Sequence, residues 1–225
     1  SREAVNRLIK FKVKAFKIGS GECNNYPLVS YIASFKKPVI ISTGMNDLKS
    51  IKKSVKILKK NKIKFAILHT TNLYPTPHNL IRLNALDEIK KNFPRTVYGL
   101  SDHTGENYTS FAAVAMGASI IEKHFIDKSS RKGPDISASV NSNQMRDLLN
   151  GVKLISQAKP GGVKPVKEEK KTAEFAFASV VSTRDIKSGE ILTKSNIWVR
   201  RPGTGDFTAE DYLSLIGKKL KKNIK

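Results

Sequence analysis

The chain has 225 residues and 39% apolar content, enough for one large domain or a large and a small one, and no apolar run reaches the roughly 20 residues of a membrane span. Its 41 Lys and Arg against 19 Asp and Glu give a net charge of +22, the mark of an anion-binding protein or of helix surfaces decorated with lysine. Cys23 is the only cysteine, which excludes an internal disulfide and fits a reducing, cytoplasmic setting.

The opening residues are charged and helical in pattern over 2–11, unlike a signal peptide. Apolar strands are expected at 15–18, 38–41, 65–68, 96–100 and 119–121, alternating with helices at 26–35, 48–60, 80–92 and 107–116, and a helix at 142–157 follows the last strand. In the helix expected at 48–60, lysines interleave with Ile51, Val55 and Leu58 at helical spacing, giving an amphipathic helix with a solvated face. The chain has no zinc-finger spacing, no aromatic RNA-stacking motif and no recognition-helix pattern, so no nucleic-acid partner is expected, and no membrane. A βα repeat of roughly 20–30 residues marks a parallel α/β fold.

Each expected strand runs out into polar residues: Ser20-Gly21-Glu22, Ser42-Thr43-Gly44, His69-Thr70-Thr71-Asn72, Ser101-Asp102-His103 and Glu122-Lys123-His124. A closed barrel, whose strand ends ring one mouth, suits this pattern better than a doubly wound sheet. Five strands do not close a barrel of eight, and the chain does not begin with Met, so about three βα units are expected before Ser1. The expected architecture is a partial (β/α)8 barrel over 1–158, a linker at 159–173, and a small β-rich domain at 174–225 with strands at 175–181 and 197–201 around a turn at 187–190. A single helix separates the last two barrel strands, so His103 and His124 face the same space as a candidate metal or acid–base site.

The motifs Ser1-Arg2-Glu3-Ala4-Val5, Lys17-Ile18-Gly19-Ser20-Gly21-Glu22, Ser42-Thr43-Gly44-Met45, Tyr74-Pro75-Thr76-Pro77, Ser101-Asp102-His103-Thr104, Glu122-Lys123-His124-Phe125 and Gly133-Pro134-Asp135 occur in order. Together they resemble the sialic acid synthases and their legionaminate relatives. Asp185-Ile186-Lys187-Ser188-Gly189-Glu190 and Arg201-Pro202-Gly203-Thr204-Gly205 resemble that family's SAF (antifreeze-like) domain. The resemblance implies condensation of phosphoenolpyruvate with the open-chain aldehyde of an N-acetylated hexosamine, giving a nine-carbon 2-keto acid and phosphate. It implies a divalent cation, Mn2+ with Mg2+ or Co2+ as alternatives, held by His103 and His124. It places phosphoenolpyruvate contacts at Lys17, Ser20, Ser42 and Ser101, and sugar contacts at Glu22, Asn72, Tyr74 and Asp135. Glu122 is the candidate acid–base or water-orienting group, and Glu22 a second catalytic candidate. Ile136 stands where many synthases carry histidine, which bears on the identity of the sugar. Arg201, with Arg200 adjacent, resembles the arginine that reaches the partner's barrel, implying a domain-swapped homodimer. This chain alone is expected to be inactive. Two other readings compete: a barrel aldolase with Lys17 as Schiff-base nucleophile, and a basic polyanion-binding module.

Overall fold

Alternating burial along the first strands sets the sheet. In β1 (Phe16–Ile18) Phe16 and Ile18 are buried and Lys17 is exposed, and in β2 (Val39–Ser42) Val39 and Ile41 are buried with Ile40 less so. Successive side chains of a strand face opposite sides. One side of the sheet therefore packs beneath helices and the other lines an interior.

The structure is a computed structural model and describes residues 1–128 and 130–225. It divides into two units, Ser1–Pro160 and Gly161–Lys225. In the first, α1 (Arg2–Lys10) precedes β1, and α2 (Tyr26–Ser34) and α3 (Leu48–Lys60) flank β2. β3 (Phe65–Thr70), α4 (Ala85–Asn92), β4 (Val97–Asp102), α5 (Tyr108–Ala115), β5 (Ile120–Phe125), β6 (Ser139–Val140) and α6 (Ser142–Ala158) follow. The six strands form one parallel sheet in the order β1-β2-β3-β4-β5-β6.

The helices start where the sequence supplies caps. Asn25 Oδ1 accepts from Leu28 N at 3.2 Å with Pro27 in the first turn of α2, and Asp47 Oδ1 accepts from Ser50 N at 2.7 Å at the start of α3. Ile51, Val55 and Leu58 of α3 are buried while Lys49, Lys52, Lys53, Lys56, Lys59 and Lys60 face solvent. The fully buried side chains Ile41, Leu58 and Ile67 each contribute about 1.5–3 kcal/mol by removal from water.

Several boundaries differ from the sequence expectation. β4 and β5 continue through their polar residues to Asp102 and Phe125, because Asp102 and Lys123 remain register partners across the two strands. The sixth strand, β6, was not expected: two residues are too short to display a period, and it exists through pairing with His124 and Phe125. The helix expected from 80 begins at Ala85, after a 3₁₀ turn at His78–Leu80.

In the second unit, α7 (Lys170–Ala176) begins inside the stretch expected as a linker and takes up Phe175 and Ala176, so the strand expected at 175–181 is β7 (Ser179–Ser182). β7 pairs antiparallel with β8 (Ile197–Arg200), and Ile186, Leu192, Ile197 and Leu215 form a separate core with α8 (Tyr212–Leu215). No helix among the described residues is long and apolar enough to cross a membrane.

Candidate active site

The inner-face side chains of the sheet meet in a cavity of about 440 Å³. Lys17, Ser20, Ser42, Asn72, Tyr74, Ser101, His103, Glu122 and His124 all line it. Register explains the convergence. Thr70, Ser101 and Glu122 lie side by side on β3, β4 and β5, and His103 and His124 follow two residues beyond Ser101 and Glu122, on the same face.

Lys17 and Glu122 join the two ends of this arc. Lys17 Nζ donates to Glu122 Oε1 at 2.8 Å and Oε2 at 2.7 Å, although β2, β3 and β4 lie between their strands. Only a sheet curled toward closure lets these side chains meet, so the pair reports barrel-like curvature. Burial pushes the Glu122 carboxyl up, but the Lys17 ammonium and the Ser101 hydroxyl outweigh it and hold the group below its usual range, as a carboxylate.

Three polar atoms at the floor have no partner. Ser42 Oγ, Thr70 Oγ1 and Asn72 Oδ1 are buried and make no hydrogen bond among the described residues. Leaving a buried polar group unpaired costs about 1–3 kcal/mol, so two hydroxyls and an amide oxygen in one cavity mark a surface built for a polar ligand. Gly44 allows this crowding, since a Cβ there would lie 2.9 Å from Ser20 Oγ and still closer to Asn72 Oδ1. Ser20 Oγ accepts from Gly44 N at 3.1 Å.

Aromatic rings form one wall. Tyr74 stacks on His103 with centroids 4.2 Å apart, and His103 and His124 meet edge to face at 5.3 Å. His103 Nδ1 lies 2.8 Å from the Thr71 carbonyl oxygen. A carbonyl only accepts, so Nδ1 carries the proton and Nε2 keeps its lone pair. Burial pushes this imidazole toward the neutral form, beyond what the Thr71 bond restores. The two imidazoles fit a divalent first-row cation, with Mg2+, which prefers oxygen donors, the poorest match. No group of three or more His, Cys, Asp or Glu able to hold a metal occurs among the described residues.

The remaining sequence candidates are not among the residues that line the cavity. Glu22 sits in a 3₁₀ turn, exposed, accepting from Asn25 Nδ2 at 2.6 Å, and is not part of the cavity lining. Asp135 is also outside the lining, with Oδ2 3.8 Å from His124 Nδ1. Arg200 ends β8 and Arg201 follows it, both in the second unit. His69 is buried with Nε2 2.6 Å from the Ile81 carbonyl oxygen, a structural role, and His78 is exposed near Glu106. Thr70 also lines the cavity, although no sequence motif singles it out. Alternation would have found it, because a strand that aims Asn72 inward aims Thr70 inward too. A larger cavity of about 1040 Å³ shares Lys17, Glu122 and Lys123 but is otherwise mainly apolar, lined by Ile40, Leu68, Met145 and Leu148, so the ligand-reading groups belong to the smaller one.

The NeuB family model matches residues 1–164, and the SAF domain model matches residues 177–225. The chain is 38% identical to an N,N'-diacetyllegionaminic acid synthase of Campylobacter jejuni, over 99% of this chain and 67% of that protein. It is 33% identical to human N-acetylneuraminate-9-phosphate synthase, over 96% of this chain and 61% of that protein. Among solved structures it resembles the N-acetylneuraminic acid synthetase of Leptospira borgpetersenii in complex with citrate, with TM-score 0.71 and 29% identity over 76% of this chain and 60% of that one. The chain spans 61–67% of the length of these two curated relatives.

Proposed function

Since the chain belongs to the NeuB family and carries a SAF domain, we propose that it supplies the active-site half of a nonulosonic acid synthase barrel. The reaction is condensation of phosphoenolpyruvate with an N-acetylated hexosamine aldehyde, either N-acetylmannosamine or a diamino-trideoxy analogue. The observation that carries this reading is the cavity: the Lys17 ammonium, unpaired buried polar atoms and two imidazoles around one space.

Phosphoenolpyruvate is a dense anion and needs fixed donors. Lys17, Ser20, Ser42 and Ser101 would take its phosphate and carboxylate, with Thr70 completing the row on β3. His103 and His124 would hold a divalent cation, Mn2+ by preference, whose chemistry is to polarise the aldehyde oxygen. Carbon–carbon bond formation makes C2 electron-poor, water adds there, and phosphate leaves with C–O cleavage. Glu122 is ionised, so its role is to orient that water and accept its proton rather than to donate one. Tyr74 and Asn72 face the space left for the sugar, with Asp135 and Glu22 near its edge.

A Schiff-base mechanism is disfavoured because both oxygens of Glu122 engage the Lys17 nitrogen, whereas an amine nucleophile needs a free lone pair. Six parallel strands do not close a barrel, so the isolated chain should bind ligand without turnover. We place the complete protein in the cytoplasm as a domain-swapped homodimer, with Arg201 (or Arg200) entering the partner's site. The test is phosphate release by the full-length parent protein with phosphoenolpyruvate, Mn2+ and a panel of N-acetylated hexoses. Release that depends on one hexose supports the proposal, and borohydride-trapped imine at Lys17 would replace it with the aldolase mechanism.

A further inference from the structure

A buried charge pair lies on the outer face of the sheet, directly behind the site. Asp102 on β4 and Lys123 on β5 are register partners whose side chains are 0% and 2% exposed, with Nζ 3.1 Å from Oδ2. Asp102 Oδ1 accepts from Thr104 N and Thr104 Oγ1, both at 2.8 Å, and Oδ2 accepts from Thr109 Oγ1 at 2.6 Å and Ser110 Oγ at 2.7 Å. Lys123 Nζ also donates to Thr104 Oγ1 at 3.0 Å and to the Thr104 carbonyl. The network ties β4, β5, the loop after β4 and the first turn of α5 to one carboxylate.

Stability alone does not account for such a pair. Removing two charges from water costs roughly what their attraction returns, and apolar residues of similar volume often serve as well or better. Its place in the register is informative. The Asp102–Lys123 rung falls between the Ser101–Glu122 rung and the positions of His103 and His124. Because faces alternate, locking this rung from behind fixes both neighbouring rungs on the cavity side.

We propose that the Asp102–Lys123 pair is a positioning element that sets the separation of His103 and His124, and thereby the affinity of the cavity for a divalent cation. The inference rests on the reading of the two histidines as cation ligands. Its test is the double variant Asp102→Leu/Lys123→Met, which keeps apolar packing behind the site. Thermal unfolding, Mn2+ binding followed by electron paramagnetic resonance, and imidazole 15N spectra are measured together. The expected result is a folded protein with a melting temperature near the parent's, roughly tenfold or more weaker Mn2+ binding, and shifted ring resonances of His103 and His124. A folded double variant with parental Mn2+ affinity and unchanged ring resonances would overturn the proposal. Should that variant not fold, Thr109→Val/Ser110→Ala keeps both charges and loosens the anchor to α5. Several-fold weaker Mn2+ binding then supports positioning, and parental binding overturns it. If the parent itself binds no Mn2+, the cation reading fails, and the ring resonances alone decide: shifted in the variants for positioning, unchanged against it.

Discussion

Replacing Thr70 by Val separates binding from stability at a single atom. Both residues are β-branched and suit a strand, so the change removes the hydroxyl and little else. In the chain as it stands that hydroxyl is buried and has no partner among the described residues. An unpaired buried hydroxyl costs about 1–3 kcal/mol, so Thr70→Val should stabilise the first unit by about 1 kcal/mol and raise its melting temperature by about 2–4 °C. A hydrogen bond to a charged ligand contributes about 1.5–3 kcal/mol, so phosphoenolpyruvate should bind the variant about 10- to 150-fold more weakly. Calorimetric titration with phosphoenolpyruvate and a thermal melt on the same preparation check both signs at once. A variant that melts lower and binds phosphoenolpyruvate as the parent does would refute the assignment, because the hydroxyl would then be satisfied within the fold and idle toward ligand.

Other consequences follow from the same geometry. Glu122→Gln removes the counter-charge from Lys17, so inorganic phosphate should bind the chain at least as tightly as before while phosphate release by the full-length protein falls by about 10²–10⁴-fold; unchanged turnover would remove Glu122 from the chemistry. The carboxyls of Glu122 and Asp102 are both held below their usual values near 4.5 and 3.8. A depressed carboxyl contributes stability that is present above the unfolded value and lost as pH falls through the folded one. Denaturant titrations should accordingly show this contribution at pH 6 and its loss below about pH 4, and Asp102→Asn should flatten that fall. Burial pushes the Cys23 thiol up to about 11, so a disulfide-exchange reagent at pH 8 should label it only after unfolding; rapid labelling of the folded protein would contradict its burial.

How much of this was legible in the sequence depends on the length and period of each feature. The helix Leu48–Lys60 was readable in the sequence because its lysines and aliphatics interleave at helical spacing, and the structure adds the Asp47 cap. The barrel strands were readable as apolar cores, but not to their ends. Ser101, Asp102, Glu122 and Lys123 look like loop residues until the sheet is seen to place Ser101 and Glu122 inward and to pair Asp102 with Lys123 behind. β6 has two residues and no period, so only pairing defines it. Phe175 and Ala176 join an apolar run that reads as strand, and the structure draws them into α7.

Within the site, residue types pointed to the chemistry while contacts stayed hidden. His103 and His124 face one space, as the single crossover between their strands requires. The Lys17–Glu122 pair spans 105 positions of sequence and non-neighbouring strands, so no local pattern announces it. Glu22 lies beyond the cavity lining because it belongs to the turn that follows β1, and Asp135 because it caps the 3₁₀ turn that leads into β6, neither standing on the inner face itself.

The most direct measurement is phosphate release by the full-length protein with phosphoenolpyruvate and an N-acetylated hexose, with Mn2+ added and then removed by chelation. The expected release requires the hexose, is abolished by chelation and returns with Mn2+. Phosphate release that proceeds without hexose, or condensation that survives complete removal of divalent cations, would contradict it.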